Sequence, residues 1–213
     1  MGLLFVIFFH FIAIFILSFI IGIIALLLIY FLDKGEKKKR KLFIGFSAPF
    51  IGFYSLYIFA FLGSVFVSEI KNVDMGVGDA WFVPLENKYE LLFIDLPETA
   101  FIAKHDNGEI LVSDITDIEE RNNIILGKKD SDSFFSFNTD TEELKEFNNK
   151  EALSKAYDKI KLENAYKFYS EKRDDISGSW FIMVGIISLL ASILLLYVFK
   201  RIFLINFNLK KSN

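Results

Sequence analysis

Two histidines, no cysteine and a scatter of paired acids are the residues on which chemistry in this 213-residue chain has to be built. The missing cysteines exclude a thiolate nucleophile, a cysteine zinc site and a disulfide, so any folded region is held by packing alone. His105, in "KHDNGE", is the histidine outside the long apolar runs, and a Ser-His-Asp hydrolase would be assembled around it. Its neighbours place it at a hairpin tip, exposed and mobile, which argues against catalysis. Asp114 and Asp117 in "SDITD", or Asp130 and Asp132 in "KKDSDS", are spaced to share a Ca²⁺. Neither pair follows the twelve-residue loop that has glycine sixth and glutamate last, and acids so placed ordinarily serve turns or a solvated surface. Gly76 and Gly78 in "DMGVGD" lack the following GK[ST] of a phosphate loop and read as a flexible entry to the β-rich segment. No catalytic, cofactor or metal residue is therefore assigned, and no cofactor is expected.

The elements that would position these residues are set by three charge-free blocks: Leu3 to Leu32, Leu42 to Ser68 and Trp180 to Phe199. About 20 apolar residues cover a hydrocarbon core of roughly 30 Å, and a helix satisfies its own backbone donors and acceptors where lipid cannot. Each block is long enough to span. The first lacks a basic n-region and is about twice the length of a signal-peptide core, so it reads as a permanent span rather than a cleaved leader.

Orientation follows from the basic residues. Lys34, Lys37, Lys38, Lys39, Arg40 and Lys41 lie between the first two blocks; Lys200, Arg201, Lys210 and Lys211 follow the third. Basic ends resist translocation, which places both clusters in the cytoplasm and the N-terminus outside. The expected order is a span within 1–32, a cytoplasmic loop 33–41, a span 42–68, an extracytoplasmic domain 69–179, a span 180–199 and a cytoplasmic tail 200–213. Charge divides the same way: residues 69–179 hold 14 basic and 25 acidic side chains, net −11, while the remainder holds 10 and 2, net +8, which together give −3. The basic clusters are foremost a topology lock in contact with membrane lipid; nucleic acid is not an expected partner.

Within the spans, Ala48 and Gly52, Ala60 and Ser64, and Ser188 and Ser192 have the small-xxx-small spacing that lets helix backbones approach, and Pro49 should kink the second span. The second span is thus the expected centre of packing, either within the chain or between copies. His10 falls where the over-long first block should reach the outer interface, as a candidate sensing or interface residue, and Trp180 reads as the interface anchor of the third span. No intramembrane acid or base offers an ion relay, which disfavours transport.

The exported segment reads as α+β. Short β-rich runs ("AWFVPL", "YELLFIDL", "AFIAKH", "EILVSDI", "NNIILGK", "SFFSFNT") separated by turn residues predict a five- or six-stranded, mostly antiparallel meander, with Asn107-Gly108 as a tight hairpin turn. One amphipathic helix should come after it, capped by Asn148 or Asn149, with Leu153, Ala156, Tyr157 and Ile160 facing the sheet. Residues 162–169 are open between more helix and a last strand.

"GDAWFVPLENKYELLFID" followed by "IILGKKDSDSFFSFNT" resembles a module of uncharacterised bacterial membrane proteins: a Gly-Asp-x-Trp opening, a Pro-Leu-x-Asn-x-Tyr strand, then Leu-Gly, Asp-Ser and Phe-x-x-Asn-Thr. The similarity covers residues 78–141 and implies no activity, substrate or cofactor. The expectation is a non-enzymatic, multi-pass protein of a bacterial inner membrane whose acidic domain binds a protein or ligand as an accessory, sensory or immunity subunit. The alternative is a structural assembly unit, a homo-oligomer formed through spans two and three. An extracytoplasmic hydrolase using His105 stands behind both.

Overall fold

The computed structural model describes residues 2–35 and 37–209, with side chains described through Phe203, so the Lys210 and Lys211 of the expected tail lie outside the described residues. The described chain falls into two units, residues 1–66 with 180–213, and residues 67–179.

The first unit is helical. Helix α1 runs Leu3–Leu32 and α2 Lys38–Lys71, and the apolar part of α5 (Ser179–Leu209) completes the set. All three are long and apolar enough to cross a membrane. Their packing runs opposite to that of a water-soluble bundle. Apart from Arg40, the side chains buried here are small and polar, Ser18, Ser55, Ser188 and Ser192, whereas Phe31, Leu62, Ile182 and Leu194 are each more than half exposed. Large apolar side chains turned outward on every helix suit a hydrocarbon surround and would be an aggregation surface in water.

The start of α2 differs from expectation. The basic stretch is only partly a loop: Lys38, Lys39, Arg40 and Lys41 form the first turn of α2, and Arg40 is buried. Asp33 shapes the short connection by accepting a hydrogen bond from the Gly35 N–H at 2.8 Å and pairing with Lys41 at 2.5 Å. Pro49 lies within an unbroken α2. The Ser18 hydroxyl points at the Pro49 carbonyl, at 3.5 Å, from the neighbouring helix.

The second unit is an eight-stranded antiparallel sheet with two helices. Strands β1 (Ala80–Pro84), β2 (Tyr89–Ile94), β3 (Ala100–Lys104), β4 (Ile110–Arg121), β5 (Ile124–Lys129), β6 (Phe134–Asn138) and β7 (Leu144–Phe147) pair in sequence order. The two-residue β8 (Glu163–Asn164) pairs with β4. The meander was legible in the alternating apolar pattern. β7 was not, because "LKEF" is exposed at three of its four positions and carries no apolar face.

The hairpins redistribute the expected turns. Asn107-Gly108 is not a two-residue primed turn: residues 105–108 form the connection, with Gly108 alone at positive φ and the Asn107 side chain accepting the Glu109 N–H. The two-residue turn is Asn122-Asn123, where Arg121 opposes Ile124 and Asn122 has φ 48°. Asparagine tolerates the left-handed region that such a turn demands. The acid pairs prove to be backbone devices. Asp132 takes the left-handed position (φ 59°) closing β5 to β6 and pairs with Lys128 at 2.7 Å; Asp114 (φ 61°) lies where β4 bulges against β3, and a further bulge interrupts its pairing with β5. An extra residue bends a strand, and β4 uses this to pair with β3 along one half and with β8 and β5 along the other.

Register puts Val83, Leu91, Phe93, Ile102, Ile115, Ile118, Phe135 and Phe137 on one face, all buried. Helix α4 (Ala165–Arg173) covers it, with Tyr169 edge-on to Phe93 at 5.6 Å. The opposite face receives α3 (Lys150–Ala156), where Leu153 is fully buried and the Tyr157 hydroxyl meets Ser136 at 3.1 Å. Asn149 caps α3 by accepting from the Ala152 N–H at 2.8 Å. The helix is shorter than the periodicity of Leu153, Ala156, Tyr157 and Ile160 suggests. The chain leaves helical geometry at Tyr157 (φ −134°), and Arg121 grips the exit by donating to the carbonyls of Asp158 and Lys159, each at 2.6 Å. Residues 162–169 resolve both open possibilities in turn, strand and then helix. Helix α4, itself polar, passes through one π turn, Asp174–Gly178, into α5, so helical geometry precedes the apolar run that opens at Trp180.

Candidate functional site

His105 stands exposed at the hairpin tip where the sequence places it, and its ring is paired with a carboxylate. His105 follows β3; its backbone N–H donates to the Lys88 carbonyl at 2.9 Å, and its Nδ1 meets Glu90 Oε2 at 2.8 Å. Glu90 lies buried on β2, while the imidazole is 42% exposed. A carboxylate holding an imidazole is half of a triad. Among the described residues no serine or threonine hydroxyl hydrogen-bonds that ring. The acids Asp114, Asp117, Asp130 and Asp132 occupy bulge and turn, and no group of three or more metal-binding side chains occurs among the described residues. Asp117 accepts from Thr116 at 2.9 Å and Asp114 from Ser113 at 2.7 Å.

The most densely bonded ionisable cluster was missed at sequence level. Asp74, read only as part of a flexible entry, is 3% exposed. Its Oδ1 accepts the Gly76 N–H at 2.7 Å, and its Oδ2 accepts from the Tyr169 hydroxyl at 2.6 Å and from Arg173 Nε at 3.1 Å. Gly76 sits at φ +74° with Arg173 Nη2 3.0 Å from where a Cβ would stand, so it is the residue that lets the backbone fold round its own carboxylate. Beside Arg173 on α4, Lys172 pairs with Glu120 of β4, whose other oxygen accepts the Glu86 N–H at 2.9 Å. Adjacent basic residues thus fasten α4 both to the strap before β1 and to β4. The signal in the sequence was the spacing of Tyr169 and Arg173, four residues apart and so on one helical face.

Burial and then the Asp74 hydrogen bond push the Tyr169 hydroxyl well above the ordinary tyrosine value of 10. The folded state therefore keeps this proton where the unfolded chain releases it. Stability from the contact is intact below pH 10 and declines as pH rises beyond it. The expected result is alkaline loss of the domain's cooperative transition in wild type, and a flatter profile over pH 10–12 in Tyr169→Phe, followed by hydrogen exchange of β1 and β2.

In the helical unit, the predicted small residues divide. Gly52 and Ser192 meet: the Ser192 hydroxyl donates to the Gly52 carbonyl at 2.8 Å and accepts from Ser55 at 2.9 Å. Ser188 is buried one turn earlier on the same helix. Gly63 has Val184 Cγ1 2.5 Å from its would-be Cβ, so α2 and α5 approach closely there as well. Ala48 lines an apolar groove; Ala60 and Ser64 are half-buried. His10 Nδ1 lies 3.2 Å from the Tyr57 hydroxyl, its ring edge-on to Tyr57. Trp180 is 37% exposed; Lys34, Lys37, Lys39, Lys200 and Arg201 are exposed, while Lys38 lies half-buried over the Tyr30 ring.

No protein-family model, curated protein or solved structure matches this chain.

Proposed function

We propose that this is a multi-pass protein of a bacterial inner membrane, with its N-terminus outside, its basic turn in the cytoplasm, and an exported acidic domain that binds a basic protein partner without catalysing a reaction. The orientation rests on the exclusion of lysine-rich ends from translocation. Binding rests on the free edge of the sheet. Strand β7 pairs only with β6, and Leu144, Lys145 and Glu146 are exposed along it with Glu142 and Glu143 just before. An open edge offers main-chain donors and acceptors to an added strand, and acids beside it favour a basic one.

The assembly-unit alternative draws on Gly52 and Ser192, whose close contact is made within the chain. A hydrolase draws on His105, whose ring hydrogen-bonds Glu90 and, among the described residues, no serine or threonine hydroxyl.

Full-length tagged protein is recovered from its native envelope beside a Glu143→Lys/Glu146→Lys variant. A partner that co-purifies with wild type and falls at least about tenfold with the variant is the expected result, since rim charges govern encounter and salt dependence. Equal capture by both, or no partner in either, defeats the reading. A reporter active only outside the cytoplasm, inserted after Asn123, checks the orientation separately.

A further inference from the structure

We infer that the helical unit holds one acyl chain of an anionic phospholipid in a lateral groove, with the head group against the basic end of the helices. The groove has a volume of about 450 Å³ and lies between all three helices, bounded by Ala25 of α1, Gly45, Ala48 and Gly52 of α2, and Ile193 and Leu196 of α5. Its walls are almost wholly apolar, and Gly45 and Gly52 let Ile29 and Leu196 come close against α2 beside it. From Gly45 to Leu56, which also lines it, eleven residues rise about 17 Å, close to half of a hydrocarbon core of roughly 30 Å. The groove therefore has the length of one leaflet.

Its end is what selects the occupant. Lys38 and Lys41 precede Gly45 at seven and four residues, on the face of α2 that continues through Ala48 and Gly52; Lys200 follows Leu196 by four on α5. Two of the three helices thus carry the groove's own stripe into lysine at the same end. Ile29, which approaches Gly45, also lines a second depression with Leu32, Asp33 and Lys41, so apolar wall leads directly to charged rim. Asp33 offsets Lys41, Lys38 rests over the Tyr30 ring, and the exposed Lys200 adds its charge at the same end, so the rim as a whole stays positive toward a negative head group. The inference needs only that the helices span, and stands or falls apart from the exported domain's partner.

Full-length protein is released from nanodiscs holding equal phosphatidylglycerol and phosphatidylcholine and weighed by native mass spectrometry. One retained phosphatidylglycerol per chain is expected, with Ala48→Phe losing it and Lys38→Gln/Lys41→Gln/Lys200→Gln lowering the anionic preference at least about fivefold, the equivalent of about 1 kcal/mol for a basic group at an anionic surface. Circular dichroism checks that each variant folds. If Ala48→Phe does not, Phe53→Trp in a Trp81→Phe/Trp180→Phe background replaces it, and brominated phosphatidylglycerol should quench that tryptophan more than brominated phosphatidylcholine. Equal retention or equal quenching by the two lipids overturns the inference. So does undiminished retention by folded Ala48→Phe, or conversion of a dimer to a monomer by that variant, which would put a second copy in the groove.

Discussion

Asp74→Ala should unfold residues 67–179 more readily than any other single polar substitution, by about 3 kcal/mol or more, because it removes one partner from a buried charged network. The carboxylate is 3% exposed and accepts three hydrogen bonds, from the Gly76 N–H, the Tyr169 hydroxyl and Arg173 Nε. Alanine leaves all three without this acceptor. It also releases the strap between α2 and β1, whose course the Asp74 N–H reinforces by donating to the Phe82 carbonyl at 3.2 Å. For a domain of this size the loss corresponds to roughly 10 °C or more in melting temperature. Hydrogen exchange in detergent-solubilised full-length protein reads it, since the β1, β2 and α4 amides should lose protection together while the spans do not. Tyr169→Phe should cost about 1 kcal/mol, the net worth of one hydrogen bond, and add almost nothing to Asp74→Ala, because both act on one contact. Full additivity, or protection unchanged in Asp74→Ala, contradicts the assignment of this cluster as the fastening of α4 to the sheet.

Gly127→Ala carries the second large effect, about 3 kcal/mol of destabilisation from a single methyl group. Gly127 is on β5 opposite Phe135 of β6, and a Cβ would stand 2.3 Å from Phe135 Cε1, 2.4 Å from Cζ and 2.9 Å from the Asp117 carbonyl. Phe135 is itself fully buried, so the ring cannot swing out into solvent. The glycine is thus required by a side chain lying flat across its backbone, not by its φ. Phe135→Leu shortens the obstructing group, so Gly127→Ala/Phe135→Leu should be less destabilised than the sum of the single variants by about 1 kcal/mol or more, read from denaturation midpoints. Additivity within about 0.5 kcal/mol would locate the strain elsewhere.

Both positions show where a sequence stops informing. Gly127 stood in plain view within "IILGKK", yet nothing local distinguishes a glycine that yields space to an aromatic ring from one that bends a strand. Asp74 and Arg173 are 99 residues apart, and short-range patterns carry no information at that separation. Strand β7 was invisible for a related reason: an edge strand with no buried face has no period-2 signal. The end of α3 was misjudged because the apolar spacing continues to Ile160 while Arg121, from a distant hairpin, holds the backbone of residues 158 and 159 out of helix. The Asn107-Gly108 turn failed differently. Its residues permit a tight turn but do not require one, and the register between β3 and β4 settled on a four-residue connection.

Hydrophobicity accumulates along a chain. Three helices long enough to span, the acidic stretch between the second and third, and the order of the meander are properties of contiguous residues, and the sequence alone determined them. Only the tertiary structure decided that small polar side chains face inward in the helical unit, that β4 bends to serve two sets of neighbours, and that α4 rather than α3 closes the main core. Those outcomes depend on which surfaces meet, and meeting is governed by shape and by hydrogen-bond partners far apart in the chain.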